Sequence, residues 1–186
     1  MITHRKNSAA PEEKDAAPSE EKDAAPSDDW ENRIATFWKT ADDTRPEWML
    51  ETMNVLRQEL PDSNPDALFE WASVHDFLGR ESQAVPLYEQ ALNNGVAGAR
   101  RCRAAIQLAS SLRNVGRAQD ACKLLENFEF SHEMKPAAAA FRALALRDCG
   151  QSDAALRVAL QALATLLPQY GAAVEYYAGA LASNSM

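Results

Sequence analysis

Glycine is scarce in this chain, seven in 186 residues, while alanine is abundant. That balance favours helices, since glycine costs a helix interior about 1 kcal/mol relative to alanine. Cysteine is scarcer still. Cys102, Cys122 and Cys149 are odd in number and have no CxxC spacing, so neither a disulfide framework nor a zinc site is expected. They read as buried helix thiols in a reducing cytosol. No run of about 18 apolar residues occurs, and no membrane span is expected. The basic start MITHRKNSAAPEEKD has no apolar stretch behind it and does not read as a secretory signal. Positive charge is also in short supply: 19 Lys and Arg stand against 27 Asp and Glu, a net charge of −8. A nucleic-acid partner is not expected from that balance.

The negative charge is uneven. Residues 1–6 carry +2, residues 7–29 carry −6, and −4 is left for residues 30–186. Within 1–29 an AAPSEEKD-like unit recurs about two and a half times. It has no aromatic or large aliphatic side chain with which to offset the entropy of ordering, so 1–29 reads as a disordered acidic Ala/Pro-rich tail. Beyond it, 46% hydrophobic residues support a real core.

Order is expected from Trp30. Trp30, Ile34, Phe37 and Trp38 make one apolar stripe. Thr44-Arg-Pro-Glu47 reads as a capping box opening a second helix with Met49, Met53, Leu56 and Leu60 on one face. Together they predict a helical hairpin over 30–60. Three later stretches share a spacing. Gly79, Gly116 and Gly150 are each followed five residues on by Ala84, Ala121 and Ala155, and preceded by seven by Ala72, Ala109 and Ala143. Twelve residues after each glycine stand Ala91, Phe128 and Ala162. A glycine can end a helix at positive φ, and small side chains let the next helix cross the first closely. Pro86 is expected at the end of a first turn, where it loses little hydrogen bonding.

The glycine–alanine spacing, with a period near 34, resembles the tetratricopeptide repeat. The best copy holds Leu68, Ala72, Gly79, Ala84, Tyr88, Ala91 and Leu92, with Trp71 at the large apolar position. The runs ALFEWAS, AVPLYEQALNNG, IQLASSLRNVGR and FRALALRDCG look like a group of short bacterial tetratricopeptide-repeat proteins. The resemblance implies an all-α, right-handed solenoid of antiparallel helix pairs, about nine helices in all. Its domain would span 30–183: the hairpin 30–60, repeats at about 65–98, 102–135 and 136–169, and a capping helix at 168–183 with Val174, Tyr177 and Leu181 as its stripe.

No catalytic constellation is present. His75 and Asp76 point apart on a helix, His132 lies in a loop, and no hydrolase, phosphate-loop or dinucleotide motif occurs. The chain is expected not to be an enzyme and to need no cofactor or metal. A groove reads better. In stacked helix pairs the first helix of each pair lines the inner surface. On the stretch 100–115, Arg103, Gln107, Ser110 and Asn114 form a polar stripe flanked by Arg113. Phe69, Ser73 and Asp76 would extend it from the first repeat, and Phe141, Leu144 and Arg147 from the third. Such side chains can hold a peptide backbone or a carboxylate.

From Gln90 to Gln119 there are five arginines and no acid. This basic island could meet an acidic partner, or the chain's own tail. Some tetratricopeptide domains clamp the C-terminal carboxylate of chaperones with lysines and asparagines. Here the comparable positions hold Phe69, Ser73, Gln107, Ala137 and Phe141, which lack that charge. The leading expectation is a cytoplasmic protein–protein interaction module, a monomer or weak homo-oligomer. The alternatives are self-association through Trp30/Trp38 or Tyr176/Tyr177, and a small-molecule sensor.

Overall fold

A computed structural model describes residues 26–181. The tail expected at 1–29 falls, as far as residue 25, outside them. The described chain is all helical: α1 (Asp28–Lys39), α2 (Pro46–Arg57), α3 (Pro65–Phe77), α4 (Glu81–Asn93), α5 (Gly98–Asn114), α6 (Ala118–Asn127), α7 (Lys135–Asp148), α8 (Ser152–Ala164) and α9 (Gly171–Ala180). Each helix packs on the next, and α5 also packs on both α3 and α7. That second set of contacts makes a stack of helix pairs, a tetratricopeptide-like solenoid with α3, α5 and α7 as the first helices of the pairs.

The helix boundaries follow local chemistry. Ser27 caps α1 by accepting the Trp30 N–H at 3.2 Å. The capping box expected at Thr44 does not form. Asp42 takes the Thr44 N–H at 3.0 Å and its hydroxyl at 2.6 Å, so Arg45 is left as an N-cap with no side-chain bond, ahead of Pro46. In the repeats, Gly79, Gly116 and Gly150 all have positive φ (65°, 82° and 77°). Each closes its helix with the same pair of bonds. For the first copy these run from the Gly79 N–H to the Asp76 carbonyl and from the Arg80 N–H to the His75 carbonyl. Arg113/Leu112 and Arg147/Leu146 supply the matching carbonyls in the later copies. These are Schellman closures, which need the left-handed residue that glycine supplies without strain.

Ala72, Ala84, Ala91, Ala109, Ala121, Ala143 and Ala155 are all buried at helix crossings. Two expectations change. Pro86 lies inside α4, past its first turn. Arg80 is the N-cap, so the Ala84 N–H already bonds back to the Arg80 carbonyl, and Pro86 omits a real bond to Ser82. Phe128 is not a crossing residue. The α6 helix stops at Asn127, and Phe128 turns extended (φ −89°, ψ 135°). Its ring rests against Phe130 at 4.7 Å and beneath the Arg101 guanidinium at 4.3 Å.

The core has an N-terminal part, built on Trp30, Ile34, Phe37, Met49 and Met53, and a central part around Tyr88, Phe69, Leu108 and Leu112. Trp30 is 1% exposed, so it offers no surface for self-association; Trp38 is half-buried. Toward the C-terminus burial thins. α9 seats Ala178, while Tyr177 of the expected stripe faces out. Gly171 lets α9 approach α8, since a Cβ there would stand 2.6 Å from the Ala164 carbonyl oxygen. The three cysteines are free. Cys102 is buried, and Cys122 and Cys149 are half-buried with their sulfurs 4.0 Å apart. Burial, with the Cys149 contact, pushes the Cys122 thiol up to about 11.

Candidate functional site

A cavity of about 310 Å³ opens on the α3–α5 face. Its floor is α3, which presents Phe69, Glu70, Ser73, Asp76 and Phe77. Residues 69, 73, 76 and 77 share one helical face by their spacing. One wall is α5, with Arg103, Gln107 and Asn114; Trp38 of α1 and Glu81 of α4 close the ends.

Four of the seven expected groove residues meet here: Phe69, Arg103, Gln107 and Asn114. Phe69 is buried, and the exposed Arg103 guanidinium lies 5.8 Å from its ring. Asn114 donates to Glu81 Oε1 at 3.0 Å. The buried Oε1 of Gln107 has no hydrogen-bond partner among the described residues. The other three lie elsewhere. Ser110 is half-buried outside the lining. Arg113 is bound to Asp148 of α7, with Nε at 2.8 Å and Nη2 at 2.6 Å. Arg147 is exposed, 3.5 Å from Asp148.

The acidic groups of the cavity differ in their partners. Glu70 is almost fully buried. It accepts from Arg100 Nε at 2.8 Å and from the Trp38 indole N–H at 2.7 Å. Burial raises its pKa despite the Arg100 charge. Asp76 accepts the Ser111 hydroxyl at 2.8 Å and the Tyr88 hydroxyl at 3.4 Å. Burial raises its pKa too; the Ser111 bond opposes this and the Glu81 charge adds to it. Tyr88, buried and beside Asp76, is raised as well. His75 packs edge-on against Trp71 at 4.6 Å, and burial lowers its pKa.

The basic island is largely neutralised. Arg100 bonds Glu31 and Glu70, Arg113 bonds Asp148, and Arg117 bonds Asp120 and Glu89. Most of these acids belong to other helices, so a local count of charge along the chain missed them. Local reading also missed Trp38, Glu70, Phe77 and Glu81 as lining residues. Trp38 lies on the apolar stripe of α1, and only the fold brings its N–H to Glu70. Among the described residues no group of His, Cys, Asp and Glu is placed to hold a metal ion, and no helix is long and apolar enough to cross a membrane.

No curated protein and no solved structure is found to match this chain. The family model described as tetratrico peptide repeat matches residues 65–181, the segment that runs from α3 through α9. With three glycine-closed helix pairs stacked through α3, α5 and α7, the chain belongs to the tetratricopeptide repeat family.

Proposed function

We propose that this protein is a non-catalytic interaction module that holds a segment of a partner protein along the α3–α5 face. Tetratricopeptide repeats generally mediate protein–protein interaction and are typically scaffolds rather than enzymes. The observation that carries the reading is the convergence of Phe69, Arg103, Gln107 and Asn114 on one open cavity. It has the mixed apolar and polar lining of a recognition site. Three free thiols suit a reducing compartment such as the cytoplasm.

The test compares proteins retained from cell lysate by the wild type and by an Arg103→Ala/Gln107→Ala/Asn114→Ala variant, identified by mass spectrometry. Arg103 and Asn114 are exposed and Gln107 is half-buried, so the variant is expected to keep its helical signal. A discrete partner held by the wild type and lost by the variant supports the reading. Identical retention by both sinks it.

A second reading, self-association, draws on the thin C-terminal end. Leu166, Tyr176 and Tyr177 are 63%, 76% and 68% exposed, and apolar surface of that kind marks contact sites. Under this reading, size-exclusion chromatography shows a dimer that Tyr176→Ser/Tyr177→Ser shifts toward monomer. A wild type that elutes as a monomer across a hundredfold concentration range removes it.

A further inference from the structure

The cavity keeps acceptors that no residue of the fold fills. Several of its donors are engaged inside the fold: the Trp38 N–H on Glu70, the Asn114 amide on Glu81, and the Ser73 hydroxyl on the Phe69 carbonyl. Open donors remain on the Arg103 guanidinium, the Gln107 amide and the second Asn114 N–H, and open acceptors remain on the carboxylates deeper along α3 and α4. A carboxylate offers about four lone-pair sites, and Asp76 uses two of them on the Ser111 and Tyr88 hydroxyls. Glu81 is bonded through Oε1, and the Gln107 Oε1 is buried without a donor among the described residues.

Charge is where the lining is unbalanced, with Asp76 and Glu81 against Arg103 once Glu70 is paired. Glu70 has Arg100 as its counter-ion. Asp76 and Glu81 form no ion pair among the described residues, and they repel each other. Half-buried carboxylates without a cation gain when one arrives, because the surroundings screen less than water does. The remaining walls are aromatic. Trp38 and Phe77 meet edge to face at 6.0 Å, and Phe69 already carries the Arg103 guanidinium. Aromatic faces attract cations. Arg103, the one lining cation, is exposed, lies against Phe69, and acts on Glu70 rather than on Asp76.

We propose that this cavity receives the cationic side chain, lysine or arginine, of the partner segment laid along the α3–α5 face. The inference rests on the groove reading above and names the chemistry of its ligand. About 310 Å³ is near the lower limit for ligand sites, a size for one long side chain rather than a folded element. Asp76, Glu81 and the Gln107 carbonyl accept from the cation, while Trp38, Phe69 and Phe77 flank its aliphatic stem. It also replaces the acidic partner expected from the basic island, whose arginines are mostly engaged by the protein's own acids.

The experiment titrates the ¹⁵N-labelled full chain with a capped heptapeptide, Gly-Ser-Leu-Lys-Leu-Ser-Gly. Two counterparts carry Gln or Glu at the centre. The signals followed are the Trp38 indole N–H and the Gln107 and Asn114 side-chain amides. The Lys peptide is expected to move them saturably and to bind about tenfold or more tighter than the Gln peptide, with the Glu peptide weakest. Glu81→Gln and Asp76→Asn, each checked for wild-type helicity by circular dichroism, should each weaken the Lys peptide about tenfold. If Asp76→Asn fails to fold, Glu81→Gln decides. If the Glu or Gln peptide moves the same signals as tightly as the Lys peptide, or Glu81→Gln has no effect, the cation inference is overturned while the groove reading stands. If no peptide moves these signals, or only signals away from α3 and α5 move, the groove reading falls with it.

Discussion

Replacing Arg100 with alanine should destabilise the fold by about 3–5 kcal/mol, the usual cost of leaving one member of a buried ion pair alone. Its guanidinium joins three helices. It is bidentate on Glu31 of α1, at 2.6 and 2.7 Å, and bonds Glu70 of α3 at 2.8 Å from the start of α5. It also lies 5.5 Å from the Trp30 ring centre. The Glu31 arm is 39% exposed and contributes little. The cost is at Glu70, whose side chain is 4% exposed and would be left charged and buried. Arg100→Ala/Glu70→Gln should therefore recover more than half of the loss. The pH dependence has a definite sign. Burial already holds the Glu70 pKa above its ordinary value, and removing Arg100 raises it further. A carboxylate raised on folding costs stability as pH climbs from its unfolded pKa through its folded one. The variant's deficit should thus be largest at pH 7 and shrink as pH falls toward the ordinary carboxylate range. Urea midpoints at pH 7 and pH 5 measure this. A deficit below about 1 kcal/mol at pH 7, or one that grows on acidification, would sink the account.

Some of this was readable from the chain and some was not, for physical reasons. Gly79, Gly116 and Gly150 announced their helix ends because a Schellman closure is local: three or four residues and one left-handed φ settle it. The alanines announced the crossings because close approach tolerates few other side chains. Thr44 failed because two local options compete, and Asp42 accepts the Thr44 backbone N–H that Glu47 would take in a capping box. Phe128 failed because the repeat pattern assumes a full-length second helix, and α6 has 10 residues where α4 and α8 have 13, stopping just before it. The site was legible only along its own helix. Arg103, Gln107 and Asn114 share a face of α5, and periodicity shows that. Arg113 shares the same neighbourhood but belongs to Asp148, 35 positions away. The Trp38–Glu70 bond spans 32 positions. Ion pairs between repeats have no signature in a window of one helix, and they decide which charges are left for a partner.

Trp30→Ala should loosen the N-terminal hairpin without unfolding the repeats behind it. The ring is 1% exposed, packed among Ile34, Phe37, Met49 and Met53, and its N–H donates to the Leu56 carbonyl at 2.9 Å. Removing an aromatic side chain of this kind costs about 3–5 kcal/mol. In a stack where helix pairs pack chiefly on their neighbours, most of that loss stays near where it is made, although the Arg100–Glu31 bond also ties α1 to α5. Two probes separate local from global unfolding. All four tryptophans, Trp30, Trp38, Trp48 and Trp71, lie in α1–α3, so fluorescence follows that end alone, whereas far-ultraviolet circular dichroism follows every helix. In urea the variant's fluorescence transition should precede its circular dichroism transition, while the wild type shows the two close together. Trp30→Phe, which keeps most of the apolar bulk and loses the hydrogen bond, should cost only about 1 kcal/mol. Coincident transitions in Trp30→Ala would mean that α1 and α2 unfold as one unit with the repeats. If they separate, a consequence for binding follows. Trp38 reaches the cavity only because α1 is docked. A hairpin that opens ahead of the repeats removes that wall and weakens the Lys peptide, although no residue of α3 or α5 has changed.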